Sequence, residues 1–161
     1  MSAFRAVSLL SLLPATVALT LAVRTVNAGD DPTAVLVPLK KSDHILFFGD
    51  SLTAGALGAK GYVTIVRNTL TKKHPDLDLQ VSAVATGGHT VPDLLKRLDK
   101  DVLPKKPTIV VIQIGCNDAR RIPQDKFKTG LEELIDRLHK ANIQVIQCSL
   151  TSVGEKHDGT N

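Results

Sequence analysis

The chain has 161 residues, 43% of them apolar and 22% charged. That is the make-up of one globular domain, and it excludes a disordered tail, a collagen-like repeat and a polytopic membrane protein. Two cysteines are too few for a disulfide scaffold or a four-cysteine zinc site. With 3% aromatic residues, no Trp and a net charge of +4, the chain lacks the stacking platforms that single-stranded nucleic acid needs, and nothing demands a polyanionic partner.

The first segment reads as an address rather than as fold. Arg5 supplies a positive charge, Ala6 to Val23 form an uncharged and largely apolar run, and Val26-Asn27-Ala28 is a small-x-small cleavage site. This predicts a signal peptide over 1–28, cut after Ala28, and a secreted or periplasmic protein with no membrane span after cleavage. Pro14 interrupts the run, which is short for a span. Gly29 rather than Cys follows the cut, so no lipid-anchored cysteine is indicated.

Over 29–161 the pattern alternates between two periods. His44 to Phe48 is a short, mostly apolar run closed by Gly49, and Thr108 to Ile114 is a second. Both fit strands buried on two faces of a parallel sheet. Leu77 to Ala83 alternates apolar and polar, as a half-exposed edge strand does, and Asn142 to Leu150 forms a fourth strand of mixed pattern. Helical stripes lie between them: Val63, Val66 and Leu70; then Val91, Leu94, Leu95 and Leu98; then Phe127, Leu131, Leu134, Ile135 and Leu138. On the third helix Lys126, Glu132, Asp136, Arg137 and Lys140 remain for solvent. Thr90 with Asp93 resembles a capping box, and Pro123 suits a first helical turn.

Strands alternating with helices predict an α/β fold with three layers and right-handed crossovers. The polar second strand belongs at an edge, which a flavodoxin-like parallel sheet of order 2-1-3-4 satisfies. Loops 49–60, 84–91, 115–123 and 150–161 then share the carboxyl edge, where open α/β sheets bind ligands. The pairs Lys40-Lys41, Lys72-Lys73 and Lys105-Lys106 fall at the opposite edge; the latter two complement negative helix ends.

Three short blocks stand at the carboxyl edge. Gly49-Asp50-Ser51-Leu52-Thr53-Ala54-Gly55 follows the first strand, Gly87-Gly88-His89-Thr90 the second, and Gly115-Cys116-Asn117-Asp118 the third. Taken singly, Ser51 reads equally as a helix cap, Gly88 as a plain turn, and Asn117 as a residue serving its own loop. Taken together, they supply a nucleophile with hydrogen-bond donors around one point, which acyl transfer requires. A Gly-x-Ser-x-Gly elbow, a P-loop, a dinucleotide Gly-x-Gly-x-x-Gly and a His-Glu-x-x-His are all absent from the sequence.

On these blocks the chain resembles the SGNH hydrolases, the GDSL esterase/lipase superfamily. The resemblance runs through Gly49 to Gly55, Gly88-His89-Thr90 and Gly115 to Asp118, in order and over most of 29–161. It implies an SGNH hydrolase-type esterase domain that hydrolyses acyl or O-acetyl esters of a small molecule or a carbohydrate, with no cofactor and no metal. It implies Ser51 as nucleophile and an oxyanion hole from the Ser51 N–H, the Gly88 N–H and the Asn117 amide. Asp50 and Asp118 would hold loops. His89 adjoins Gly88 and reads either as a substrate contact or as a solvated loop side chain.

The superfamily's base and orienting acid form Asp-x-x-His near the C-terminus, after a fifth strand. This sequence ends at Asn161, just past the fourth strand. The fifth strand and final helix are therefore expected to be missing, the domain incomplete, and the chain as given inactive. Asp136-Arg137-Leu138-His139 matches the string but sits in the third helix, toward the wrong edge. His44 and His74 are also at the wrong edge, whereas His89 and His157 are at the right one. The alternative function is a non-catalytic, truncated or degenerate fragment.

Overall fold

A computed structural model of the chain describes residues 37–149. The signal peptide expected over 1–28 and the loop 150–161 with His157 lie outside the described residues. Among the described residues four strands form one parallel sheet: β1 (His44–Gly49), β2 (Gln80–Ala85), β3 (Ile109–Gln113) and β4 (Gln144–Gln147). Their order is β2-β1-β3-β4, as expected. The register pairs His44 with Gln80, Ile45 with Ile109, and Ile109 with Gln144.

Among the described residues five α-helices connect the strands: α1 (Ser51–Gly55), α2 (Tyr62–Lys73), α3 (Val91–Arg97), α4 (Asp118–Arg121) and α5 (Gln124–Lys140). β1 and β3 are the central strands and are buried on both faces, which is why their sequences are continuous apolar runs. Successive side chains point to opposite faces. Leu46, Phe48, Val110 and Ile112 join Leu94 and Leu98 in and after α3, and Leu134 and Leu138 of α5, in one buried cluster. On the other face the Phe47 ring meets Tyr62 of α2 edge-on at 5.6 Å. Each fully buried Leu or Phe contributes about 1.5–3 kcal/mol.

Strand boundaries depart from the sequence expectation in two places. β2 starts at Gln80 rather than Leu77, because Pro75–Leu77 closes a 3-10 turn and Asp78 is left-handed at φ 48°. β4 is confined to Gln144–Gln147 within the expected 142–150. Asn142 is left-handed at φ 59°, where it ends α5 with its N–H on the His139 carbonyl.

α3 does not stop at Arg97. It widens into a π turn over Leu98–Val102 and tightens into a 3-10 turn over Leu103–Lys105. At its start the Asp93 carboxylate accepts from both the N–H and the hydroxyl of Thr90, at 3.1 and 2.8 Å. Arg137, expected to face solvent, instead donates to Asp99 at 2.6 Å and to the Leu95 carbonyl, tying α5 to the end of α3. No helix among the described residues is long and apolar enough to cross a membrane.

Candidate active site

Three loops meet where β1, β2 and β3 end. The first begins at Gly49, where a side chain has no room: a Cβ would run into Thr53 Oγ1 and the Gln113 carbonyl. This close approach lets β1 turn directly into α1. Asp50, not Ser51, caps α1; its Oδ1 accepts from the Leu52 N–H at 2.9 Å, and the residue is fully buried. Ser51 is the first residue of α1 and is exposed. Amides of a first helical turn have no intrahelical acceptor, so the Ser51 N–H is a free donor beside its own hydroxyl. Thr53 is buried and shares a 2.7 Å hydrogen bond with the Tyr62 hydroxyl, which ties α1 to α2. Burial is the main cause that pushes the Tyr62 phenol up from its ordinary value.

The second loop reaches the first at Gly87, where a Cβ would stand 3.8 Å from Ser51 Cβ. Gly88 has φ 77°, a region that favours glycine. Its carbonyl accepts from Arg121 Nη1 at 2.9 Å. His89 is half-buried, and its Nδ1 lies 3.0 Å from Arg97 Nη1.

The third loop binds the other two together. Asn117 Nδ2 stands 3.2 Å from Asp50 Oδ2 and 2.9 Å from the His89 carbonyl. Its amide thus ties the first loop to the second. Asp118 is 1% exposed, and its Oδ1 accepts from the Val91 N–H at 2.8 Å. Its Oδ2 is buried without a partner. Burial raises the Asp118 carboxyl above its ordinary value; the Val91 hydrogen bond opposes this, and the nearby Asp50 and Asp93 charges add to it.

Two hollows flank the loops. One of about 390 Å³ is lined by Leu52, Tyr62, Gln113, Cys148 and Ser149. The other, about 370 Å³, is lined chiefly by Asp118, Ile122 and Phe127. Cys116 and Cys148 are free thiols, and burial pushes the Cys148 thiol up.

The other histidines within 37–149 lie elsewhere. His44 opens β1, with Nε2 2.7 Å from the Ser82 hydroxyl and Nδ1 3.1 Å from the Lys105 carbonyl. His74 is exposed at the end of α2. His139 is exposed one residue before α5 ends, next to the edge where β4 begins. Sequence reasoning missed Arg97 and Arg121. Arg121 had a weak signal, standing three residues past the Gly115–Asp118 block; Arg97 had none, since a lone arginine in a helix reads as solvated.

A parallel sheet of order 2-1-3-4 packed with helices defines an α/β class of protein, and the comparisons with known proteins narrow it. The chain belongs to the GDSL-like Lipase/Acylhydrolase family, whose model matches residues 47–160. It is 38% identical over 91 residues to an acetylxylan esterase of Geobacillus stearothermophilus, covering 49% of this chain and 41% of that protein. It is 29% identical over 118 residues to the uncharacterized lipoprotein YqeF of Bacillus subtilis (strain 168), covering 65% of this chain and 46% of that one. Among solved structures, the acetyl xylan esterase AlAXEase superposes with a TM-score of 0.63 at 33% identity, over 73% of this chain and 63% of that one. The chain thus spans less than half the length of the curated relatives it matches.

Proposed function

We propose that this chain carries the nucleophile and oxyanion hole of a serine ester hydrolase. In this reading Ser51 Oγ attacks the carbonyl carbon of an ester. The tetrahedral oxyanion is held by the Ser51 N–H, the Gly88 N–H and the Asn117 amide. The bond to the leaving alcohol breaks, an acyl-enzyme forms on Ser51, and water releases the carboxylic acid and frees the serine. The observation that carries the reading is the Asn117 amide bridging Asp50 of the first loop and the His89 carbonyl of the second. It sets a side-chain donor between the serine loop and the glycine loop.

The substrate class is an acyl or O-acetyl ester of a carbohydrate or small molecule. Its support is the likeness to acetylxylan esterases. The domain runs over 29–161, and the signal-like segment 1–28 supports export.

The base is the weak part of the site. Among residues 37–149, His44, His74 and His139 stand away from Ser51, and that favours a second reading, a degenerate, non-catalytic relative that at most binds. One experiment tests both: a fluorophosphonate probe and a short-chain aryl acetate, applied to the chain and to Ser51→Ala. Labelling and hydrolysis that disappear with Ser51→Ala support the nucleophile assignment. Hydrolysis that survives the substitution refutes it.

A further inference from the structure

Arg97 is heavily engaged beside the site. Its side chain is 16% exposed. Nε donates to Asp101 Oδ2 at 2.9 Å, and the guanidinium carbon stands 5.6 Å over the Phe48 ring. The two hydrogens of Nη1 meet two acceptors on the glycine loop, Thr86 Oγ1 at 2.7 Å and His89 Nδ1 at 3.0 Å. Carboxylate, ring and loop therefore fix the guanidinium in one orientation.

A guanidinium has only donors and does not lose its proton. His89 Nδ1 must therefore be the acceptor in this contact, and the ring proton resides on Nε2. A serine hydrolase base has the opposite polarity. There a carboxylate accepts from Nδ1–H, and the Nε2 lone pair faces the serine. His89 cannot serve as that base while Arg97 holds Nδ1. It presents an N–H instead.

The same arginine brackets the proposed oxyanion donor. Thr86 and His89 stand on either side of Gly87-Gly88, and Arg97 binds both. Arg121 takes the Gly88 carbonyl, and Asn117 takes the His89 carbonyl. Gly88, at φ 77°, has no side chain of its own to fix it.

We propose that Arg97 is a positioning residue for the Ser51 reaction: it holds His89 as the Nε2–H tautomer, a donor toward an oxygen of the bound ester substrate, and fixes the Gly88 N–H beside Ser51. This rests on the serine hydrolase reading above. The ligand chemistry is an oxygen acceptor, such as a hydroxyl or ester oxygen of an acylated sugar.

The first test needs no activity. Two-bond ¹⁵N–¹H correlation of the histidine rings in the full chain at pH 8, with His89→Gln for assignment, reads the tautomer. A pyridine-type Nδ1 and pyrrole-type Nε2 are expected at His89. A proton on Nδ1, or a mixture of tautomers, overturns the proposal and leaves the Ser51 reading intact. The second test uses Arg97→Lys and Arg97→Met. Each should relax the His89 tautomer toward a mixture and slow fluorophosphonate labelling of Ser51 by about 10- to 100-fold, the usual result of ångström-scale misplacement. His89→Gln, which keeps a donor, should slow labelling by less than about tenfold, whereas loss of a true base costs about a thousandfold or more. Unchanged tautomer and rate in both Arg97 variants would overturn the positioning role. Labelling that persists in Ser51→Ala would instead sink the hydrolase reading, and the tautomer result would stand apart from it.

Discussion

Asn117 places its side-chain nitrogen 3.2 Å from Asp50 Oδ2, joining two loops 67 residues apart in sequence. The contact is a donor held by a buried, helix-capping carboxylate. Asp50 spends one oxygen on the Leu52 N–H and the other on Asn117. The side chain that caps α1 therefore also orients the amide proposed to face the oxyanion.

Asn117→Ala should lose that amide without disturbing Ser51 chemically. Removing one oxyanion donor costs about 10²–10³ in turnover. The variant should also be about 1–3 kcal/mol less stable, because the buried Asp50 oxygen loses its partner. Aryl acetate kinetics alongside urea denaturation check both. An activity loss under threefold with unchanged stability would show that Asn117 faces neither group.

Gly49→Ala tests whether the turn after β1 depends on close approach. A Cβ there meets Thr53 Oγ1 and the Gln113 backbone carbonyl. Backbone cannot step aside as a side-chain tip can. Overpacking of this kind costs about 1–3 kcal/mol. A melting temperature several degrees lower is expected, and an unchanged melt would mean the strand end shifts freely.

The legible part of the sequence is the part governed by burial on both faces. His44 to Phe48 and Thr108 to Ile114 announce the central strands, because both faces of each are covered. The edge strands were less legible. Their ends are set by single left-handed residues, Asp78 and Asn142, and not by hydrophobic period. α1 and α4 span five and four residues, too few for a 3.6-residue repeat to register. The three loop blocks could be read as motifs. The clamps around them could not, because the contacts of Arg97 with Thr86 and His89, and of Arg121 with Gly88, arise from tertiary placement.

Asp118 predicts a particular pH dependence of stability. Burial, partly opposed by the Val91 hydrogen bond, raises its folded carboxyl above the ordinary 3.8. The folded state therefore binds this proton more tightly than the unfolded chain does. Its stabilising contribution is full below pH 3.8 and is lost as pH rises through the raised folded value. Asn at this position keeps an acceptor for the Val91 N–H and cannot ionise. Urea denaturation between about pH 4 and 7 should show Asp118→Asn gaining on the parent as pH rises. A difference that stays constant over that range would count against a raised carboxyl.

The Asp136-x-x-His139 string and the reactivity proposed for Ser51 are tested together. A serine hydroxyl is a weak nucleophile until a base takes its proton. Losing that base costs about 10⁴–10⁶ in turnover, and the oxyanion hole alone leaves roughly 10³ over water. His139 is exposed near the end of α5, by the edge where β4 begins, whereas Ser51 follows the opposite end of β1. The matching string therefore cannot bring imidazole to the serine. His139→Ala and Asp136→Asn should leave fluorophosphonate labelling of the chain unchanged, and labelling should be slow but abolished by Ser51→Ala. Arg97 Nη1 stands 3.0 Å from His89 Nδ1, and under the positioning proposal His89 is not the base. Fast labelling that survives both substitutions on α5 and falls a thousandfold or so with His157→Ala would place the base in the segment after Ser149. Fast labelling lost with His139→Ala would overturn the separation of α5 from the serine loop.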